Sequence, residues 1–251
     1  MRLPHSQLRQ HLRTYPRRSI RHSTRSFSNH KNGNPSTRST VEVGNTYEHL
    51  CLHTLRILGF HLHHTGGRSD RGIDLLGHWV PPSSHSNSPS TTHGRSNGWE
   101  AKPLPVIVQC KALAATPTPS IIRELAGAIV GAPEGWRGDD TIGVLCARRE
   151  ATAGVREAVR RAGRGVVWIM VENPNIGEDG GDGGDGEGDG GRGGPIGGIK
   201  QVLWNGRVQR MVGEEVGTGV RYVPKLHGRG MEKEICLIWE GRVWLPESED
   251  G

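Results

Sequence analysis

The sequence contains no run of about eighteen apolar residues, so no membrane-crossing helix is expected. It has only four cysteines, Cys51, Cys110, Cys146 and Cys236, well separated and without a CxxC pair. Neither a zinc module nor a disulfide framework is indicated, and reduced, buried thiols are the expectation. Apolar residues are scarce, at 33% of 251, and glycines number 38, so a large part of the chain lies outside any packed core. The first forty residues hold no Asp or Glu; the first acid is Glu42.

The formal net charge of +6 averages over unlike blocks. In residues 1–40, Arg2, Arg9, Arg13, Arg17, Arg18, Arg21 and Arg25 are spread among Ser, Thr and His. An Arg-rich, Ser-rich, acid-free start has the composition of a mitochondrial transit peptide. The alternative is a disordered basic arm that touches nucleic acid directly. Residues 177–194 are almost pure Gly with Asp and Glu, and the chain ends on a short acidic stretch. Without these blocks the remainder is mildly basic, which permits a nucleic-acid partner without demanding one.

Between the blocks, helices alternate with strands. Tyr47, Leu50, Cys51, Thr54 and Leu58 recur at helical spacing and predict a helix over 45–58, capped by Asn45 and stopped by Gly59. Strands are predicted at 72–80, 106–111, 141–147 and 166–171, with helices at 119–130 and 151–162. Residues 81–105, rich in Pro, Ser, His, Asn and Thr, read as a long inserted loop. The Gly/Asp tract offers nothing to offset its ordering entropy and is expected to be disordered. It lacks the interleaved apolar residues of a calcium-binding β-roll. Strand-like pieces at 199–245 extend or cover the sheet. The expected domains are a targeting segment at 1–40, a core at 41–175, a linker at 176–198 and a β-rich extension at 199–251. The expected fold class is α/β.

Two strands carry the chemistry. In Val106–Lys111, alternation sets Val106, Val108 and Cys110 on one face and Ile107, Gln109 and Lys111 on the other. Further back, Gly66 and Gly67 allow an unusual backbone turn, a polar loop of Arg68, Ser69, Asp70 and Arg71 follows, and Asp74 opens the next strand. If the two strands pair as a hairpin, Asp74, Gln109 and Lys111 share one face. A carboxylate and an amide oxygen are hard donors suited to Mg²⁺, which would activate a water beside a phosphodiester. A neighbouring lysine would position that water and stabilise the pentacoordinate phosphate. Glu48, on the preceding helix, is within reach of the same metal. Each residue also has a plainer role. Glu48 stands three after Asn45, the spacing of a capping box. Asp74 suits a turn hydrogen bond. Lys111 suits a solvated strand end, and Gln109 suits a hydrogen bond to a backbone group.

As an ordered set, Tyr47-Glu48, Gly66-Gly67, Asp70, Gly72-Ile73-Asp74-Leu75 and Val108-Gln109-Cys110-Lys111 resemble the Mrr-like branch of the PD-(D/E)XK nuclease superfamily. Within it they look like the fungal mitochondrial family called required for respiratory growth protein 7. Arg123-Glu124-Leu125 with Gly127, Leu203-Trp204-Asn205 and Val220-Arg221-Tyr222 fit the same family. The resemblance implies a restriction-endonuclease-like mixed sheet flanked by helices. It implies metal-binding oxygens at Glu48, Asp74 and Gln109 with the Cys110 carbonyl, and a catalytic Lys111. Mg²⁺, or Mn²⁺ in its place, is the implied cofactor. A nucleic acid, DNA foremost, is the implied partner, and the mitochondrial matrix the implied compartment. Gln109 stands where most of the superfamily has a second acid, which lowers the charge available to hold the metal.

His61, His63 and His64 lack a fourth ligand at suitable spacing and read as surface or DNA-facing histidines. Trp204, Trp239 and Trp244 read as core aromatics, with a protein-docking role as the alternative. Three functional readings follow: a metal-dependent nuclease, a nuclease-fold nucleic-acid binder without turnover, and a respiratory assembly factor.

Overall fold

The structure, a computed structural model, describes residues 39–65, 72–82, 103–112, 115–173, 196–225 and 229–246. All but the last two residues of the expected targeting segment, most of the expected inserted loop and the Gly/Asp tract lie outside these residues. So do Gly66, Gly67 and Asp70.

Helix α1 runs from Thr40 to Leu55 and continues as a 3-10 turn, Arg56–Leu58. Its start differs from the sequence expectation. Ser39, not Asn45, is the cap: its hydroxyl accepts the Glu42 N–H at 3.2 Å and the Glu42 carboxylate accepts the Ser39 N–H at 2.8 Å. This reciprocal pair satisfies two donors that helix geometry leaves without partners, and it outcompetes a cap further along. Asn45 is an exposed residue within the helix. At the other end Gly59, with φ +80°, stops the helical run as expected.

Strands β1 (Phe60–His64), β2 (Leu75–Trp79), β3 (Leu104–Lys111), β4 (Ile142–Ala147), β5 (Gly165–Glu172) and β6 (Gly198–Trp204) form one sheet in chain order. The β1–β2, β2–β3 and β5–β6 pairs are antiparallel; β3–β4 and β4–β5 are parallel. Helices α2 (Ser120–Gly131) and α3 (Ala153–Arg161) supply the connections that parallel pairing requires. Helix α4 (Gly206–Val212) follows β6. Strands β7 (Val216–Pro224), β8 (Met231–Trp239) and β9 (Arg242–Val243) form a second, antiparallel sheet. The molecule is thus mixed α/β, with a six-stranded mixed sheet flanked by helices.

The sheet separates two apolar layers. On one side Tyr47, Leu50, Cys51 and Leu55 of α1 pack with Leu75, Val106, Val108, Val144, Cys146 and Ile169, and the layer extends to Val208, Val216 and Leu237. On the other side Ile122, Leu125 and Ile129 of α2 and Val155 and Val159 of α3 cover Leu76, Ile107, Leu145 and Trp168. The alternation read from Val106–Lys111 is therefore the alternation of the folded strand. The pieces after residue 198 do extend the sheet: β6 is its sixth strand.

Trp204, Trp239 and Trp244 pack half-buried against the first layer. Trp244 also closes on Gly59, where any Cβ would stand 2.8 Å from its ring and 2.5 Å from the Val80 carbonyl oxygen. Among the described residues, no helix is long and apolar enough to cross a membrane.

Candidate functional site at the end of the β2–β3 hairpin

The hairpin that the sequence reading required is present. Leu75 faces Val108, and Leu76 faces Ile107. One step beyond, the Asp74 N–H donates to the Val108 carbonyl at 2.9 Å and the Asp74 carbonyl accepts the Thr65 N–H at 3.1 Å. Asp74 is thus stitched between β1 and β3 although it precedes β2. Its side chain reaches along β3, where Oδ2 accepts the Cys110 N–H at 2.5 Å. A carboxylate held against a backbone amide is a fixed negative charge at the sheet end.

Gln109 is almost wholly buried, at 6% exposure. Among the described residues its Oε1 has no hydrogen-bond partner. A buried carbonyl-type oxygen without a partner is costly, and such an atom calls for an explanation. Its Nε2 lies against Gly72: a Cβ there would come within 2.9 Å of it, and Gly72 has φ +77°. Glycine at 72 is therefore demanded twice, by backbone conformation and by the amide beside it. Two positions on, Lys111 is half-buried and lines a cavity of about 270 Å³ with Thr116, Thr118, Ile121, Glu124 and Arg149.

Glu48 arrives from the other direction. It lies on α1, which covers the first layer, and its Oε2 is 3.9 Å from Nδ1 of His64 at the end of β1. Since Ser39 and Glu42 make the cap, the capping role considered for Glu48 falls away. The structure thus gathers Asp74, Gln109 and the Cys110 backbone on one hairpin end. Glu48 stands to one side of the sheet, and Lys111 opens toward the other.

The histidines form surface pairs. His64 Nε2 and His49 Nδ1 are 3.3 Å apart, and His61 faces His78 across the β1–β2 ladder. Among the described residues no histidine belongs to a group placed to hold a metal ion. His64 is shifted down from its ordinary pKa by burial and by neighbouring His49, His53 and His63. Although Glu48 is close, these effects prevail, and the imidazole is held toward neutrality.

One feature escaped the sequence reading. Cys51, Cys110 and Cys146, distant in the chain, bring their Sγ atoms within 4.8 Å of one another. All four cysteines are free thiols. Burial pushes the Cys51 thiol well above its ordinary range. No spacing rule could find this cluster, because β3–β4 pairing and α1 packing create it.

Comparison with known proteins settles the family. Residues 39–210 match the family model for required for respiratory growth protein 7. The chain belongs to that family. A curated relative of this chain is an uncharacterized mitochondrial protein of Schizosaccharomyces pombe. It is 32% identical over 111 residues, covering 44% of this chain and 37% of the relative. No solved structure matches. The match begins at Ser39, where α1 is capped, and ends within α4, so it takes in the whole six-stranded sheet. The family's name refers to respiratory growth, and the relative is a mitochondrial protein.

Proposed function

We propose that this protein is a metal-dependent phosphodiesterase acting on nucleic acid, DNA foremost, in the mitochondrial matrix, on a restriction-endonuclease-like fold. The observation that carries the reading is the buried Gln109 Oε1, without a partner among the described residues and one strand position from the Asp74-bound amide of Cys110. Its chemistry fits a hard cation: an amide oxygen and a carboxylate, with the Cys110 carbonyl as a third oxygen. Mg²⁺ or Mn²⁺ bound there would supply Lewis acidity and a more acidic water. Asp74 holds its charge in place through the Cys110 N–H. Lys111, which lines its cavity, would place a cation beside a phosphate as charge builds up during attack. Arg149 lines the same cavity and adds a second cation.

The test uses residues 38–251, a single compact unit, and the full chain. Each is incubated with linear, supercoiled and single-stranded DNA, with Mg²⁺, Mn²⁺ or chelator. Metal-dependent nicking that disappears in Lys111→Ala and Asp74→Ala supports the reading; cleavage that survives Lys111→Ala removes it.

A second reading, nucleic-acid binding without turnover, is favoured by the placement of Glu48 against His64 on the face opposite Lys111. It predicts salt-sensitive binding in all three proteins and no metal-dependent product.

A further inference from the structure

We propose that Cys51, Cys110 and Cys146 form a binding site for one soft divalent d10 ion, of the zinc class, on the first apolar layer behind the candidate site.

Three separate elements converge to make it. Cys110 and Cys146 are direct partners in the parallel β3–β4 ladder, so their side chains leave the sheet on the same face. Cys51 descends onto that face from α1, one turn after Tyr47, and is fully buried. All three sulfurs fall within 4.8 Å of one another. Three thiolates around one ion at a metal–sulfur distance of about 2.3 Å stand about 4 Å apart, so the thiols need only a small inward movement.

The donor set decides the class of ion. Sulfur is soft and selects thiophilic metals over Mg²⁺ or Ca²⁺. Charge favours a divalent ion: three thiolates leave one net negative charge with M²⁺ and two with a monovalent ion, and buried charge is costly. Binding is ligand exchange without redox change. Each S–H releases its proton to solvent as its sulfur–metal bond forms. A disulfide would engage two of the sulfurs and leave the third unused, whereas a single ion uses all three.

The site is independent of the proposed nuclease chemistry. Cys110 offers its sulfur to the first layer, while Gln109 and Lys111 project from the opposite face of the same strand. A metal here would clamp β3, β4 and α1 together directly behind those residues.

The experiment takes the full-length reduced protein, stripped of metal by chelator, and titrates it with Cd²⁺ as a spectroscopic probe. The sulfur-to-cadmium charge-transfer band separates thiolate binding from binding by any of the 13 histidines. Competition with Zn²⁺ then gives relative affinity. The expected result is one thiolate-bound ion per chain. Cys51→Ala and Cys146→Ala should each weaken binding by more than about 100-fold, and Cys236→Ala, outside the cluster, should leave it unchanged. If an alanine variant fails to fold, the serine variant at the same position replaces it. The wild-type titration is decisive alone: no thiolate band at stoichiometric Cd²⁺ overturns the site. A full band retained in both Cys51 and Cys146 variants, or one lost in Cys236→Ala, also overturns it.

Discussion

The Asp74 carboxylate accepts the backbone N–H of Cys110 at 2.5 Å, tying the residue before β2 to the end of β3. This contact joins two motifs separated by 36 positions in the chain. A hydrogen bond to a charged acceptor contributes about 1.5–3 kcal/mol. Asp74→Ala should therefore lower unfolding free energy by about 2 kcal/mol, read as a shift in urea midpoint. Asp74→Asn keeps an acceptor oxygen and should recover at least half of that loss, while still losing any metal-dependent cleavage. Equal destabilisation by both variants would show that the contact contributes little to stability.

A second tie fastens the late strand to the first helix. The Thr54 hydroxyl donates to the Leu50 carbonyl at 2.7 Å and accepts the Gly197 N–H at 2.8 Å, both in the interior. Thr54→Val preserves shape and removes both bonds, leaving a buried N–H without a partner. We expect a loss of about 1–3 kcal/mol in chemical denaturation. Hydrogen exchange should also be faster at Gly197 than in the parent protein.

Asn205 is a third single point of failure. Its Oδ1 accepts the Val208 N–H at 3.2 Å as the cap of α4, while its Nδ2 donates to the carbonyls of Ala162 at 3.2 Å and Arg164 at 2.7 Å. Asn205→Ala removes a cap, both bonds to the carbonyls and the Val166 N–H bond to Oδ1 at 3.5 Å, with an expected loss of about 3 kcal/mol. Asn205→Asp keeps the cap oxygen but turns a carboxylate toward two carbonyls. It should not rescue the loss in a thermal melt at neutral pH.

Acid sensitivity follows from the histidine ladder. His78 is shifted down from 6.5 by burial first, then by His63 and His61. A histidine with a depressed folded pKa takes up its proton more readily when unfolded, so its contribution is fully present above the unfolded pKa. That contribution is lost as pH falls through 6.5 toward the lower folded value. Stability should thus drop between pH 7.5 and pH 5.5, and His78→Gln should shrink the drop. A pH-independent urea midpoint in the wild-type protein would count against this.

The sequence made some of this visible and hid the rest for identifiable reasons. The alternation in Val106–Lys111 and the β2–β3 pairing were legible, because period-two patterning reports directly on the two faces of a strand. The end of the first helix at Gly59 was legible from the glycine. Its beginning was not: Ser39 and Glu42 straddle the boundary of the acid-free segment, and composition drew attention away from the capping pattern. The set Asp74, Gln109 and Lys111 could be listed from the motif. The bond from Cys110 to Asp74 and the orphaned Gln109 oxygen depend on tertiary placement. The three-cysteine cluster was least visible, because two of its members meet only through parallel pairing across a helical crossover.

The strands β5 and β6 are sheet neighbours, yet residues 173–197 separate them in sequence. Closing so long a connection adds little cost beyond that of a shorter one, because loop entropy rises only with the logarithm of length. The consequence is one of timing. In a chain delivered N-terminus first, five strands and three helices are present before the sixth strand exists. Until residue 204 arrives, β5 has one open edge of unpaired amides and carbonyls, the kind of edge that recruits foreign strands. A product that stops within the tract would keep every residue proposed for catalysis and lack the strand that pairs with β5, making it sticky rather than merely shorter.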